Sequence, residues 1–316
     1  MLDWFDYRGH YCMVFECLGL SLYDFLKKNG YRGFPMGVVR AISAQLLQAI
    51  EFLHSMGLIH TDLKPENVLL RHREEYPYYL ETGETIQVPK SPRIKVIDFG
   101  GATYEEDSLK TSIVNTRQYR APEVILGLGW GLPSDLWSAG CIIAELYHGD
   151  LLFATHDNME HLALMEKCVG PFPQSMVHES DVGSKYFDRR ARSRWETKCS
   201  KESQRDIRRM QTLKELTGTS LEGKQLCGLL KDLLRVDPRQ RATAKGVLQH
   251  PFFQQPDRIL GDRGHGGGGG GGSGSQDGRP RRSPSPPQDS RAWESPWESP
   301  GRSPPPASSK RNRGSR

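Results

Sequence analysis

The sequence predicts an α+β protein that is mainly helical, with a small β portion near its start and a tail that lacks the means to fold. Three observations predict this. From Met36 to Ser55, the residues Val39, Ile42, Leu46, Ile50 and Leu53 recur at intervals of three or four, which marks one face of a helix of about five turns. Tyr11 to Phe15 and Ile94 to Ile97 are short apolar runs of strand length. Beyond Gln255 the composition changes abruptly: residues 266–272 are all Gly, and Arg279 to Arg316 is Ser, Pro and Arg with almost no aliphatic residues. Such a segment cannot bury enough apolar surface to offset the entropy of ordering it, so it is expected to be disordered.

Taken in order, Met1 to His10 holds a short strand and turn at most, and Tyr11-Cys12-Met13-Val14-Phe15 reads as a buried strand. Glu16-Cys17-Leu18-Gly19 is the connector after it. The helix from Met36 is closed by Gly57, a left-handed stop. Residues 71–93 are Tyr-rich and bounded by Pro89 and Pro92; with Thr82-Gly83-Glu84 as a turn they read as a surface hairpin, a chance loop being the alternative. Asp135 to Tyr147 is apolar nearly all round, which marks a buried central helix. Glu160 to Lys167 reads as an amphipathic helix stopped by Gly170-Pro171. Between Lys185 and Leu216, Arg189, Arg190, Arg192, Arg194, Arg205, Arg208 and Arg209 make either an anion dock or a solvated face. Apolar helices return from Leu226 and end at Phe253.

The 316 residues, 36% of them hydrophobic, suffice for a sizeable core. From Asp257 onward there are eleven Lys and Arg against six Asp and Glu, which leaves 32 against 32 before it. The net charge of +5 therefore belongs to the tail. Six cysteines without a Cys-x-x-Cys pair argue against a metal site and for reduced, mostly core thiols of an intracellular protein. No uninterrupted apolar run approaches the roughly eighteen residues of a membrane span and no signal-peptide pattern opens the chain, so a soluble protein without membrane contact is expected.

Between an apolar entry at Leu58 and an apolar exit at Leu70 lie the carboxylate of Asp62, the ammonium of Lys64 and the carboxamide of Asn67, at offsets of two and five. They can converge on one polar point suited to phosphoryl transfer. Asp62 would take or orient the proton of an incoming hydroxyl, Lys64 would face the phosphoryl group, and Asn67 would hold a metal ion. Any one of these residues alone is a solvated loop, and Asp-x-x-x-x-Asn recurs by chance. Their company carries the weight. Ile94 to Ile97 delivers Asp98 in Asp-Phe-Gly, a second hard oxygen ligand for Mg²⁺. Ala121-Pro122-Glu123 and Asp135-Leu136-Trp137-Ser138-Ala139-Gly140 follow.

With these four motifs in this order, the chain resembles the eukaryotic protein kinases over most of residues 1–256. The resemblance implies a protein-kinase-like fold: a remnant of the small lobe with its hinge (1–18), a mainly α-helical large lobe (19–256) and the disordered tail (257–316). It implies ATP and Mg²⁺, with Asp62 as base, Lys64 stabilising charge, and Asn67 and Asp98 as metal ligands. By the same resemblance the Glu16 carbonyl and the Leu18 amide contact adenine and Phe15 guards the pocket behind. Asp24 lies at the ribose edge, and Leu69 and Ile97 form the floor; for Phe15, Leu69 and Ile97 plain core packing stays open. Asp98 to Glu123 becomes the activation loop, with Thr116 to Arg120 as the platform for a peptide. Glu123 is expected to pair with Arg241, and Asp135 to brace the backbone of His60 and Thr61. Glu160-His161-Leu162-Ala163-Leu164-Met165-Glu166-Lys167 resembles the motif of the LAMMER, or Cdc2-like, kinases, with Leu164 and Lys167 departing from its spelling. Ile59 to Asp62, Gly19 to Leu26, the hairpin and Ser184 to Phe187 agree with it. The motif is expected to pack and dock, its charged face to regulate, and none of it to catalyse. This subfamily implies transfer to Ser and Thr, with Tyr left open, on Arg/Ser-rich splicing proteins, by a monomer in the nucleus, with the cytoplasm as a second compartment.

The chain departs from the family in two places. No Gly-x-Gly-x-x-Gly precedes Glu16, nor do the strand Lys and helix Glu that complete the family's nucleotide clamp. A two-stranded remnant is marginal and leaves an open edge, so the chain alone is expected to be poorly soluble or chaperone-bound and to phosphorylate weakly or not at all. A non-catalytic binding module and an incomplete reading of an ordinary enzyme stay open beside the kinase. Thr61 stands where many members carry Arg, so activation is expected without phosphate on Ser108, Thr111 or Ser112. The tail, with its Ser-Pro steps and Lys310-Arg311-Asn312-Arg313, reads as a substrate or partner tail, a weak RNA-contacting arm or a nuclear address; a solubilising tail is the alternative.

Overall fold

The computed structural model describes residues 1–254 except 81, 108–110 and 112. The expectations for the tail, for Ser108 and for Ser112 fall outside that range. Eight short strands and twelve helices follow in order: β1 (Asp3–Tyr7), β2 (His10–Val14), α1 (Leu22–Lys28), α2 (Met36–Ser55), β3 (Leu58–Ile59), β4 (Val68–Leu70), β5 (Glu75–Tyr79), β6 (Thr85–Pro89), β7 (Ile94–Val96), β8 (Thr103–Tyr104), α3 (Pro122–Ile125), α4 (Pro133–His148), α5 (Asn158–Val169), α6 (Gln174–Glu179), α7 (Gly183–Tyr186), α8 (Trp195–Lys198), α9 (Lys201–Arg209), α10 (Leu213–Thr217), α11 (Leu221–Leu233) and α12 (Ala244–Val247). The strands form four antiparallel pairs, β1 with β2, β3 with β8, β4 with β7 and β5 with β6. The α+β, mainly helical architecture is the expected one.

The spacing read in the sequence becomes the buried face of α2, where Val39, Ile42, Leu46, Ile50 and Leu53 are all in the core and the helix packs on α4 and α12. Gly57 follows with φ +68°, the left-handed stop. One expectation needs correction here. Although no apolar run in it is uninterrupted, α2 is 20 residues long with a mean hydropathy of 1.3, enough to cross a membrane by length and composition. Half of that stretch is buried, and the buried Arg40 donates to Phe252 O at 2.8 Å and to Glu222 Oε1 at 2.7 Å. These are the contacts of a core helix.

α4 is buried from Ser134 to Leu146, as its all-round apolar character requires. Its end meets the loop after α1 backbone to backbone: a Cβ on Gly33 would lie 1.9 Å from Tyr147 O, and one on Gly149, at φ +101°, 2.1 Å from Tyr31 O. Only glycine fits either position. The hairpin β5–β6 is present, turning at Gly83 (φ +83°). It is more than a surface loop, because Ile86 and Val88 are buried. Asn29 at the end of α1 binds Gln87 twice, Nδ2 to O at 2.8 Å and Oδ1 from N at 2.9 Å, and Lys28–Glu75 and Arg32–Glu84 are ion pairs.

Three further expectations are corrected. The strand at Tyr11 to Phe15 is not buried: β2 is exposed except for the half-buried Cys12, and Phe15 is 58% exposed. Among the described strands β1 and β2 pair only with each other, and Trp4, Phe5, Tyr7 and Met13 are exposed. The helix around Glu160 has no solvated charged face over most of its length. Met159 to Met165 are all buried in α5 because α8 and α9 pack against it; Glu160 accepts from Thr155 Oγ1 at 2.7 Å. Of the cysteines only Cys141, Cys168 and Cys227 are core residues; Cys12 and Cys199 are half-buried and Cys17 is exposed, and all six are free thiols. The arginines of the basic stretch are all exposed, Arg189, Arg190, Arg192 and Arg194 in the segment before α8 and Arg205, Arg208 and Arg209 on α9, with Lys167 and Arg208 lying 5.6 and 5.5 Å from the Trp195 ring.

Candidate active site

The loop after β3 is held from beneath. Asp135, at the start of α4 and with no exposed surface, accepts from His60 N at 2.8 Å and Thr61 N at 3.1 Å, and its Oδ2 lies 3.1 Å from His54 Nε2. The expected brace is in place. Thr61 takes φ +69°, a strained conformation for a β-branched residue, and its Oγ1 donates to Gly101 O at 2.8 Å. His60 Nε2 lies 3.0 Å from Ile97 O, which ties this loop to the strand that carries Asp98.

Asp62, Lys64 and Asn67 are brought together. Lys64 Nζ donates to Asp62 Oδ2 at 2.6 Å, and Asn67 Nδ2 donates to Asp62 O at 2.9 Å and approaches Oδ2 at 3.5 Å. Pro65 opens a 3-10 turn, Pro65–Asn67, that swings Asn67 back towards Asp62; its missing N–H costs nothing at that first position. The other carboxylate oxygen, Oδ1, accepts from Thr116 N at 3.1 Å and Thr116 Oγ1 at 2.7 Å. Burial pushes the Asp62 carboxyl up, but the bonds from Lys64 and Thr116 outweigh it and hold the group below the usual carboxylate range. Asp62 is thus an anion at neutral pH, able to orient a hydroxyl.

β4 and β7 bring the two expected metal ligands to adjoining strand ends. Ile97 N donates to Asn67 O at 2.9 Å, and Asp98 comes next, exposed, at φ +65°, with Oδ1 3.4 Å from Gly100 N. Asn67 Nδ2 is engaged by Asp62, which turns its Oδ1, a hard oxygen, to other use. Among the described residues no three His, Cys, Asp or Glu gather as a metal cluster. One carboxylate and one amide oxygen are a donor set that fits Mg²⁺, which keeps several waters.

The residues expected around the nucleotide are placed less tightly. Leu69 and Ile97 are half-buried, with Leu69 bridged to Ser21 and opposite Lys95. Asp24 is exposed in the first turn of α1, accepting from Ser21 Oγ at 2.7 Å. Glu16 pairs with Arg71 at 3.4 Å and with Lys95, and Leu18 O accepts from Arg73 at 3.4 Å. The root of the hairpin therefore grips the hinge. None of these bonds reaches Asp62, Lys64, Asn67 or Asp98. Phe15, exposed, guards no enclosed pocket.

Under the platform, Glu123 and Arg241 form the expected pair, Nη1 to Oε1 at 2.7 Å and Nη2 to Oε2 at 2.8 Å, both side chains buried. Nearby, Tyr119 donates to Glu145 Oε2 at 2.7 Å. Burial pushes the Glu145 carboxyl up to about 7, against the bond from Tyr119, with the charges of Glu66 and Asp150 adding to the rise. An acid whose folded value lies above its unfolded value holds its proton longer when folded, so stability falls as pH rises from about 4.5 to about 7 and is level beyond. Chemical denaturation across that range should show this fall in the wild-type protein and a smaller one in Glu145→Gln.

Sequence reasoning placed Thr116 on the platform but missed it as the partner of Asp62, and gave Asn115 and Ser138 no role of their own. The contact between Thr116 and Asp62 spans 54 residues, and no local pattern announces it.

The protein kinase domain family matches residues 1–253. The serine/threonine-protein kinase AFC2 of Arabidopsis thaliana is 49% identical over 261 residues, 79% of this chain and 61% of that protein. The dual specificity protein kinase CLK2 of Homo sapiens is 47% identical over 259 residues, 80% of this chain and 50% of that protein. The chain thus spans less than two thirds of the length of either relative. A crystal structure of the kinase domain of PF14_0431 is similar with a TM-score of 0.74 at 41% identity, covering 79% of this chain and 75% of that one. Order of motifs, geometry of the loop after β3 and likeness to these proteins agree: the chain belongs to the protein kinase family, on the side of its LAMMER, or Cdc2-like, members.

Proposed function

We propose that this chain carries the phosphoryl-transfer site of an ATP-dependent protein kinase that acts on Ser and Thr, and on Tyr as a second acceptor, in Arg/Ser-rich splicing proteins of the nucleus. The interlocked Asp62, Lys64 and Asn67 carry this reading. Asp62, an anion held by Lys64 and Thr116, orients the acceptor hydroxyl and takes its proton; Lys64 faces the transferring group. Asn67 and Asp98 hold Mg²⁺, which neutralises charge on the phosphates when bound. The backbone of Glu16 and Leu18 takes the adenine, Asp24 the ribose edge, and Leu69 and Ile97 the floor. The exposed carboxylates of Asp24 and Glu66 complement an arginine-rich peptide. Thr61 brings no cation to this site and its hydroxyl is already engaged by Gly101, so the activation loop needs no phosphate.

The test is transfer of the γ-phosphate from Mg-ATP to an Arg-Ser repeat peptide by phosphatase-treated protein, beside a melting curve with and without Mg-ATP. Slow transfer is expected, because this chain lacks the Gly-rich loop and strand Lys of the complete clamp, with stabilisation of about 2.7 kcal/mol at a hundredfold excess over Kd. Stabilisation without transfer to this or a generic basic peptide would leave a nucleotide-binding module. No stabilisation and no transfer would remove the enzyme reading, in favour of a module that binds peptides alone.

A further inference from the structure

Asn115 is buried, stands next to Thr116 and takes φ +64°, a conformation that Asn tolerates better than most residues. Its backbone N–H donates to Thr61 O at 2.9 Å. Its carboxamide adds two bonds, Nδ2 to the same Thr61 O at 3.0 Å and Nδ2 to Ser138 Oγ at 3.3 Å. Ser138 passes the link on, donating to Tyr119 O at 2.8 Å, and Arg120 Nη2 closes it on Asn115 O at 2.9 Å. One side chain therefore ties the catalytic loop, the peptide platform and α4 together.

The orientation of the amide follows from its partners. Thr61 O can only accept, so the group facing it must be the NH₂. The other end, Oδ1, is then buried with no partner among the described residues. A buried acceptor left unmatched is costly, and a small apolar residue would avoid that cost. What the carboxamide does at this place is therefore read from what its NH₂ end fastens, Thr61 and Ser138. What it adjoins is Thr116, whose N–H and Oγ1 both meet Asp62 Oδ1.

We propose that the Asn115 carboxamide is a positioning group: by fastening the start of the platform to Thr61 and Ser138, it holds Thr116 against Asp62 and sets the direction of the carboxylate that meets the acceptor hydroxyl. The inference rests on the kinase reading above for its consequence, though not for its geometry.

Two variants separate the carboxamide from the backbone. Asn115→Gly keeps the left-handed conformation without strain and loses the amide; Asn115→Ala loses both. Both are expected to lower kcat for peptide by about tenfold or more, since a displacement of an ångström at a reacting group is costly, while KM for ATP stays unchanged. Both should also speed amide hydrogen exchange at Thr116 about tenfold without changing that of the α4 core, which reads local release and not unfolding. If Asn115→Gly matches wild type in kcat and in exchange at Thr116, the backbone alone does the work and the proposal is overturned. Should Asn115→Ala fail to fold, Asn115→Gly still decides. Should wild type transfer no phosphate, the functional reading falls, and exchange at Thr116 in Asn115→Gly still tests the geometry.

Discussion

Asn in place of Asp62 lowers kcat for peptide phosphorylation by about 10²- to 10⁴-fold, the usual share of a positioned general base. The substitution is nearly isosteric. Thr116 N and Oγ1 can still donate to the amide oxygen, and Asn67 Nδ2 still meets the backbone carbonyl at residue 62. What is lost is the anion that Lys64 and Thr116 hold ionised, and with it the acceptor for the hydroxyl proton. Because Asp62 makes no contact with the hinge, KM for ATP should move little, and the melting temperature should not fall. Steady-state kinetics in both substrates, beside a melt, would check this; a kcat within threefold of wild type would move the base elsewhere.

Removing Arg241 has the largest expected effect on stability. Its guanidinium sits with no exposed side-chain surface, binds both oxygens of Glu123, donates to Arg235 O at 2.9 Å and to Pro133 O at 2.7 Å, and lies 5.2 Å from the Trp137 ring. Arg241→Ala strands the Glu123 carboxylate in the core and leaves three carbonyls, those of Arg235, Pro133 and Val236, without this donor, which should cost about 3–5 kcal/mol. Denaturant unfolding reads it directly. Glu123→Leu combined with Arg241→Met removes both charges, so the double variant should lose less than Arg241→Ala alone. Equal losses would mean that the carbonyl bonds, and not the ion pair, hold this corner.

How far the sequence revealed all this depends on the range of the interaction concerned. α2, the strand β7 that leads to Asp98 and the hairpin β5–β6 were legible because each is set by periodicity or turn chemistry within a few residues. That Asp62, Lys64 and Asn67 meet was legible because two offsets and a 3-10 turn suffice to close them. β2 was misjudged for a physical reason: an apolar run reports what a strand is suited to bury, not whether a second layer lies over it. α5 failed in the opposite sense, since its expected charged face is buried from Met159 to Met165, with Glu160 bonded to Thr155 and His161 against the Phe153 ring. His161 shows what that covering does; burial, with help from Arg117 and Arg120, pushes it down to about 3, so it stays neutral in a place where the sequence suggested a polar face. The bonds of Asn115, Thr116 and Ser138 run between segments far apart in the chain and could be found only in the fold.

The carboxylate of Asp135 gathers three groups from the loop after β3 and the end of α2 onto a helix buried from Ser134 to Leu146. A part so anchored has no private route to disorder. Heating should therefore extinguish phosphoryl transfer and melt the helical lobe in one step, and a drug or partner that loosens the helix by a fraction of an ångström would be felt at Asp62 with nothing between to absorb the strain.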